Sequence, residues 1–143
     1  MKVIMYPAQL TYLHNILEQV DKYLTKKDCT PEFISETDLI IEELFTNTVH
    51  YAYAHSNHEP VCIFVLDEND GILKIRRIDY GAPFDPTMTK RPDTHLSYQE
   101  RKIGGLGMHL IRHYSSALKY QRNKDRNILT LYRVMRYNQI TEG

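Results

Sequence analysis

Asn69-Asp70-Gly71 separates two apolar, β-branched runs, residues 61–66 and 72–79. A turn signal between two extended runs predicts a β-hairpin, because Asx-Gly pairs tolerate the positive φ angles of tight antiparallel turns. A hairpin commits the chain to a sheet with an apolar face, and that face must be covered. The cover is written upstream. Leu10, Leu13, Ile16, Leu17, Val20 and Leu24 recur at three- and four-residue intervals, the mark of an amphipathic helix. Thr30-Pro31 opens a second helix, with Thr30 as N-cap and Pro31 at the first helical position. Its apolar face runs through Ile34, Thr37, Ile41, Leu44, Phe45, Thr48 and Ala52. A short strand over 2–6 comes first, and residues 104–114 return to helix before a closing antiparallel pair at 118–121 and 128–135. The expected fold is α+β: a two-layer α/β sandwich, with a mixed, mostly antiparallel sheet and helices on one face.

The 143 residues are expected to form one domain over 1–143, long enough to bury roughly 70% of its unfolded surface. Lys+Arg and Asp+Glu balance at 18 each, so no strong field draws the chain to nucleic acid or to an anionic membrane. No run approaches the ~18 apolar residues of a membrane-spanning helix. Cys29 and Cys62 stand in no metal or redox spacing, and Pro7 cuts short any N-terminal apolar region. A reduced, cytoplasmic setting is the expectation.

Three motifs carry chemistry. Glu43 and Asn47 lie one helical turn apart and project on nearly the same side, roughly 120° from the centre of the apolar stripe. A carboxylate there can accept a proton from an attacking hydroxyl, and a neutral carboxamide oxygen suits Mg²⁺. Asp79-Tyr80-Gly81-Ala82-Pro83-Phe84 follows an apolar strand. Its aspartate can accept from an exocyclic amine, and its glycine allows backbone to approach a planar ring. Gly104-Gly105-Leu106-Gly107-Met108 opens a helix, where uncovered N–H groups at the positive end of the dipole favour phosphate. Taken singly, these are a polar helix face, an ordinary turn and a hinge. Between the last two, residues 82–103 hold three prolines and little periodicity, the character of a functional lid.

In this order and spacing the motifs resemble the GHKL ATPase superfamily, and within it bacterial anti-sigma factors that are also serine protein kinases. The resemblance spans nearly the whole chain and implies the histidine-kinase-like ATPase fold. By it Glu43 would be the catalytic base, Asn47 the Mg²⁺ ligand, Asp79 the acceptor of the adenine amine and Gly81 its neighbour against the base. Gly104, Gly105, Leu106, Gly107 and Met108 would cradle the phosphates of ATP, while Lys90, Arg101 and Lys102 of the lid would meet the γ-phosphate. The implied reaction is phosphoryl transfer to a serine of a small anti-sigma-factor antagonist, which governs whether a sigma factor is held, with a homodimer as the family's common assembly.

Two positions depart from the family's pattern. Arg77 stands where an apolar residue usually precedes the aspartate by two, and Arg126-Asn127 stands where Gly-Thr often precedes the last strand. By alternation Arg77 shares a face with Leu73, Ile75 and Asp79, so it either enters the pocket or marks a bulge. The rival reading is a non-catalytic nucleotide-binding module that sequesters a partner protein. His109 and His113 have metal-ligand spacing, and His50, His55 and His58 cluster, but no third ligand stands in register with either group and both read as surface histidines.

Overall fold

The structure is a computed structural model that describes residues 1–88 and 106–139. Its strands are β1 (Lys2–Pro7), β2 (Val61–Asn69), β3 (Ile72–Asp79), β4 (Ala117–Asn123) and β5 (Arg126–Val134). The helices are α1 (Leu13–Lys26), α2 (Pro31–Asn47) and α3 (Leu106–Tyr114), with 3₁₀ turns at Leu10–Tyr12 and Pro86–Met88. The five strands run in the order β1-β2-β3-β5-β4, each antiparallel to its neighbours. The sheet is thus antiparallel throughout the described residues.

Local chemistry places most of these boundaries. Thr30 caps α2 by accepting from the Phe33 amide at 3.2 Å, and Pro31 occupies the first turn. Asn69 pairs with Ile72, which leaves Asp70 (φ 54°) and Gly71 (φ 78°) as a two-residue turn with both φ angles positive. Such a turn matches the strand twist.

The core lies between one sheet face and the helices. Ile16, Val20 and Leu24 of α1 meet Phe33, Ile40, Ile41, Leu44 and Phe45 of α2 and Met108 and Ile111 of α3. From below come Ile4, Phe64, Leu66, Leu73, Ile75, Leu129 and Leu131. Phe33 and Ile40 belong to the buried stripe of α2, which is therefore wider than the expected one, while Ile34 is half-buried. On the outer sheet face Val3, Met5 and Val134 remain exposed, as an antiparallel sheet permits.

One feature departs from simple periodicity. After Asn47 the helix continues as a single π turn, Thr48–Ala52. Insertions of this kind recur at functional sites. Here the turn carries the end of α2 over the end of β3 and the loop that follows it.

Candidate functional site

Along α2 and its π turn the motifs meet the rest of the molecule in sequence order. Glu43 and Asn47 are both half-buried on α2. Gly107, in the first turn of α3, lies against Glu43: a Cβ built there would overlap the carboxylate. Glu43 shares an open groove with His109, Leu110, His113 and Tyr114. Leu106 is the first residue of α3, and Met108 packs into the core, so only its backbone is available to a ligand. Lys90, Arg101, Lys102, Gly104 and Gly105 lie outside the described residues, as does most of the expected lid.

The strand end is built differently. Leu73, Ile75, Arg77 and Asp79 all bury their side chains on the inner face of β3. Pairing to β2 and β5 is continuous through Arg77, so no bulge is present and the guanidinium enters the interior. Asp79 is 2% exposed. Its Oδ1 accepts from the Gly81 amide at 3.0 Å and from Asn127 Nδ2 at 2.9 Å. Its Oδ2 lies 3.5 Å from Arg77 Nε. Arg77 in turn reaches back to the π turn, where Nη1 donates to Thr48 Oγ1 at 3.4 Å.

Gly81 is wedged under that turn. A Cβ on Gly81 would strike the Ala52 carbonyl, which accepts from the Ala82 amide at 3.2 Å. The loop is pinned on its other side by Asn127, directly across from Asp79 in β5. Asn127 Nδ2 also donates to the Ala82 carbonyl at 2.9 Å, and its Oδ1 accepts from Tyr120 Oη at 2.6 Å. Arg122 Nη1 donates to the Gly81 carbonyl at 2.8 Å. Tyr53 closes the frame: its hydroxyl donates to the Val61 carbonyl and accepts from the Tyr80 amide. Burial raises the Tyr53 pKa, so the phenol stays protonated.

Thus α2 with its π turn is the common spine. Glu43 touches the first turn of α3, Thr48 touches Arg77 beside Asp79, and Ala52 touches Gly81. A buried acceptor beside a loop held in place by its neighbours suits the amine of a planar base, and a glycine-bearing helix start suits an anion. The residues present fit a nucleotide. Asn127, Tyr120, Arg122 and Tyr53 were not legible as site residues, since each joins the loop only through strand register or a fold-back contact.

Elsewhere the chemistry is quiet. Both cysteines are buried thiols without a disulfide, and burial pushes Cys62 up to about 12. Among the described residues no three His, Cys, Asp or Glu side chains are grouped to hold a metal. No described helix is long and apolar enough to cross a membrane.

Residues 6–133 match the family described as the histidine kinase-like ATPase domain. Serine/threonine-protein kinase BtrW of Bordetella bronchiseptica is 32% identical over 93 residues, which are 65% of this chain and 65% of that protein. The matched stretch therefore spans just under two thirds of the relative. Among solved structures, the RsbU and RsbW domains of Rv1364c from Mycobacterium tuberculosis superimpose with a TM-score of 0.62 at 14% identity, over 97% of this chain and 35% of that one. The SiaB–SiaC complex from Pseudomonas aeruginosa gives 0.57 at 17% identity, over 93% and 89%. At these identities the structural likeness is one of fold.

Proposed function

Because the chain belongs to the histidine kinase-like ATPase domain family, whose fold implies nucleotide binding, we propose that it is an ATP-dependent protein-serine kinase and anti-sigma factor. In this reading it phosphorylates a small anti-sigma-factor antagonist and thereby governs whether a sigma factor is held, acting in the cytoplasm and as a homodimer. The observation that carries the proposal is the Glu43 carboxylate lying against the Gly107 turn at the start of α3. It puts a proton acceptor beside the helix end that favours phosphate. The serine/threonine kinase identity of BtrW supports the choice of phosphoacceptor.

Each residue has a stated task. Glu43 takes the proton of the acceptor serine hydroxyl. Asn47, one turn on, offers its carboxamide oxygen to Mg²⁺, which when bound with ATP neutralises phosphate charge. Asp79 accepts from the adenine amine, Gly81 lets the loop pack under the π turn and sit beside the base, and the amides of Leu106, Gly107 and Met108 hold phosphate oxygens. Phosphoryl transfer is largely positioning and charge stabilisation, so this set is sufficient in kind.

Calorimetric titration with ATP, with and without Mg²⁺, tests the reading on wild type and on Asn47→Ala. Mg²⁺-dependent binding that disappears in the variant is the expected result. No binding to wild type overturns the proposal. If ATP binds, Glu43→Ala separates kinase from binder: a kinase loses transfer to the partner serine yet retains ATP, whereas a non-catalytic sequestering module keeps full control of its partner.

A further inference from the structure

Two buried arginines share the inner layer of the sheet, and among the described residues one is well supplied with acceptors and the other is not. Arg133, 4% exposed, donates to the Tyr114 carbonyl, the Phe33 carbonyl, Thr37 Oγ1 and Glu36 Oε1. Arg77, 6% exposed, has among the described residues a single long hydrogen bond, to Thr48 Oγ1 at 3.4 Å. Its Nε is buried with no hydrogen-bond partner among the described residues. Directly across on the flanking strands stand Phe64 and Leu129, both apolar and fully buried, so neither offers an acceptor. Cys62 nearby is a neutral thiol, pushed up to about 12 by burial, and a weak acceptor. A guanidinium has five N–H donors, and leaving them unmet inside a protein is costly.

Asp79 shows the complementary gap. Its Oδ1 already accepts from Gly81 and Asn127, while Oδ2 faces the Arg77 cation 3.5 Å away and takes no hydrogen bond among the described residues. An acceptor and a donor therefore stand side by side in the part of the candidate site assigned to the base. A 6-aminopurine presents the matching pair, an exocyclic amine that donates and a flanking ring nitrogen that accepts.

We infer that Arg77 is a second base-reading residue, whose guanidinium donates to the ring nitrogen beside the amine held by Asp79. The assignment rests on the nucleotide-binding part of the function proposed above. It makes Arg77 specificity-determining: Asp79 selects the amine and Arg77 the neighbouring nitrogen. Asn127 acts through Asp79, by saturating one carboxylate oxygen and so orienting the other.

The test is calorimetric titration of the full chain, with Mg²⁺, using ATP, 1-deaza-ATP and 7-deaza-ATP, each lacking one of the two nitrogens that flank the amine. Wild type is expected to bind one of the two analogues about tenfold or more weakly than ATP, the scale of one charge-assisted hydrogen bond. Arg77→Met is expected to bind ATP and that analogue alike, and Arg77→Lys, which keeps a cation but loses the fork, to discriminate less than wild type. Equal binding of all three nucleotides to wild type overturns the inference without recourse to any variant. So does discrimination that persists unchanged in Arg77→Met, or in Arg77→Lys should the methionine variant fail to fold. Wild type that gives no heat with ATP itself overturns the nucleotide reading, a result distinct from loss of analogue discrimination.

Discussion

The N-terminal half of α2 and its C-terminal end meet the same sheet through the same kind of side chain, and they use it oppositely. Near the N-terminus, Arg133 is held by two backbone carbonyls, a threonine and Glu36, and it stacks on the Phe33 ring at 4.1 Å. Arg136 joins the same carboxylate at 2.6 Å. Burial works against the Glu36 charge, but hydrogen bonds from Arg136 and Arg133 outweigh it and hold the carboxyl below its usual range. At the other end, Arg77 faces Asp79 at ion-pair distance with one long hydrogen bond. Buried polar groups are normally satisfied, so the contrast sets a saturated end of the helix against an unsaturated one. On the proposed function, stability and binding are segregated along one helix.

Replacing the two arginines by methionine tests that contrast at its strongest point. Arg133→Met removes the buried donors to Tyr114, Phe33, Thr37 and Glu36, leaving Glu36 only its exposed partner Arg136 among the described residues, and should cost about 3–5 kcal/mol of unfolding free energy by urea titration. Arg77→Met breaks fewer contacts and should cost about 1–3 kcal/mol. Equal losses would erase the distinction. Next in size, Asp79→Asn should weaken ATP binding by about 1–3 kcal/mol with little change at the Arg133 end. An unchanged affinity would remove Asp79 from base recognition.

Smaller effects sharpen the structural half. Thr30→Ala removes the N-cap of α2 and should lower stability by about 1 kcal/mol while leaving nucleotide affinity unaltered. A parallel fall in affinity would show that the two halves are coupled. A separate, pH-dependent test concerns Asp38, also on α2, whose pKa is pushed up to about 8 by burial and by a hydrogen bond with Asp21. A carboxyl raised in the folded state binds its proton more tightly there than in the unfolded chain. It therefore destabilises as pH climbs from about 4, its unfolded value, towards 8, and the loss levels off above that. Asp38→Asn should flatten this slope in thermal melts taken across the pH series. A slope that persists would place its origin elsewhere.

Much of the fold was legible because it is written in near neighbours. Thr30-Pro31 marked the start of α2, Asp70-Gly71 the hairpin turn, and the spacing of Ile16, Val20 and Leu24 the buried stripe of α1. Each depends on residues within about one helical turn or one strand pleat. The π turn after Asn47 was not legible, because a single inserted residue leaves the apolar spacing of Thr48 and Ala52 close to that of an ordinary helix.

The candidate site divides in the same way. Sequence alone determined the order of the motifs and the one-turn spacing of Glu43 and Asn47, since both follow from chain position and helical pitch. It left Arg77 with two outcomes and gave no role to Asn127. Only the tertiary structure decided that Arg77 turns inward. It also set Asn127, 48 residues further on, against Asp79 and pressed Gly107 onto Glu43. The physical reason is that such contacts are fixed by sheet register and by the docking of α3 on α2, which no local periodicity encodes.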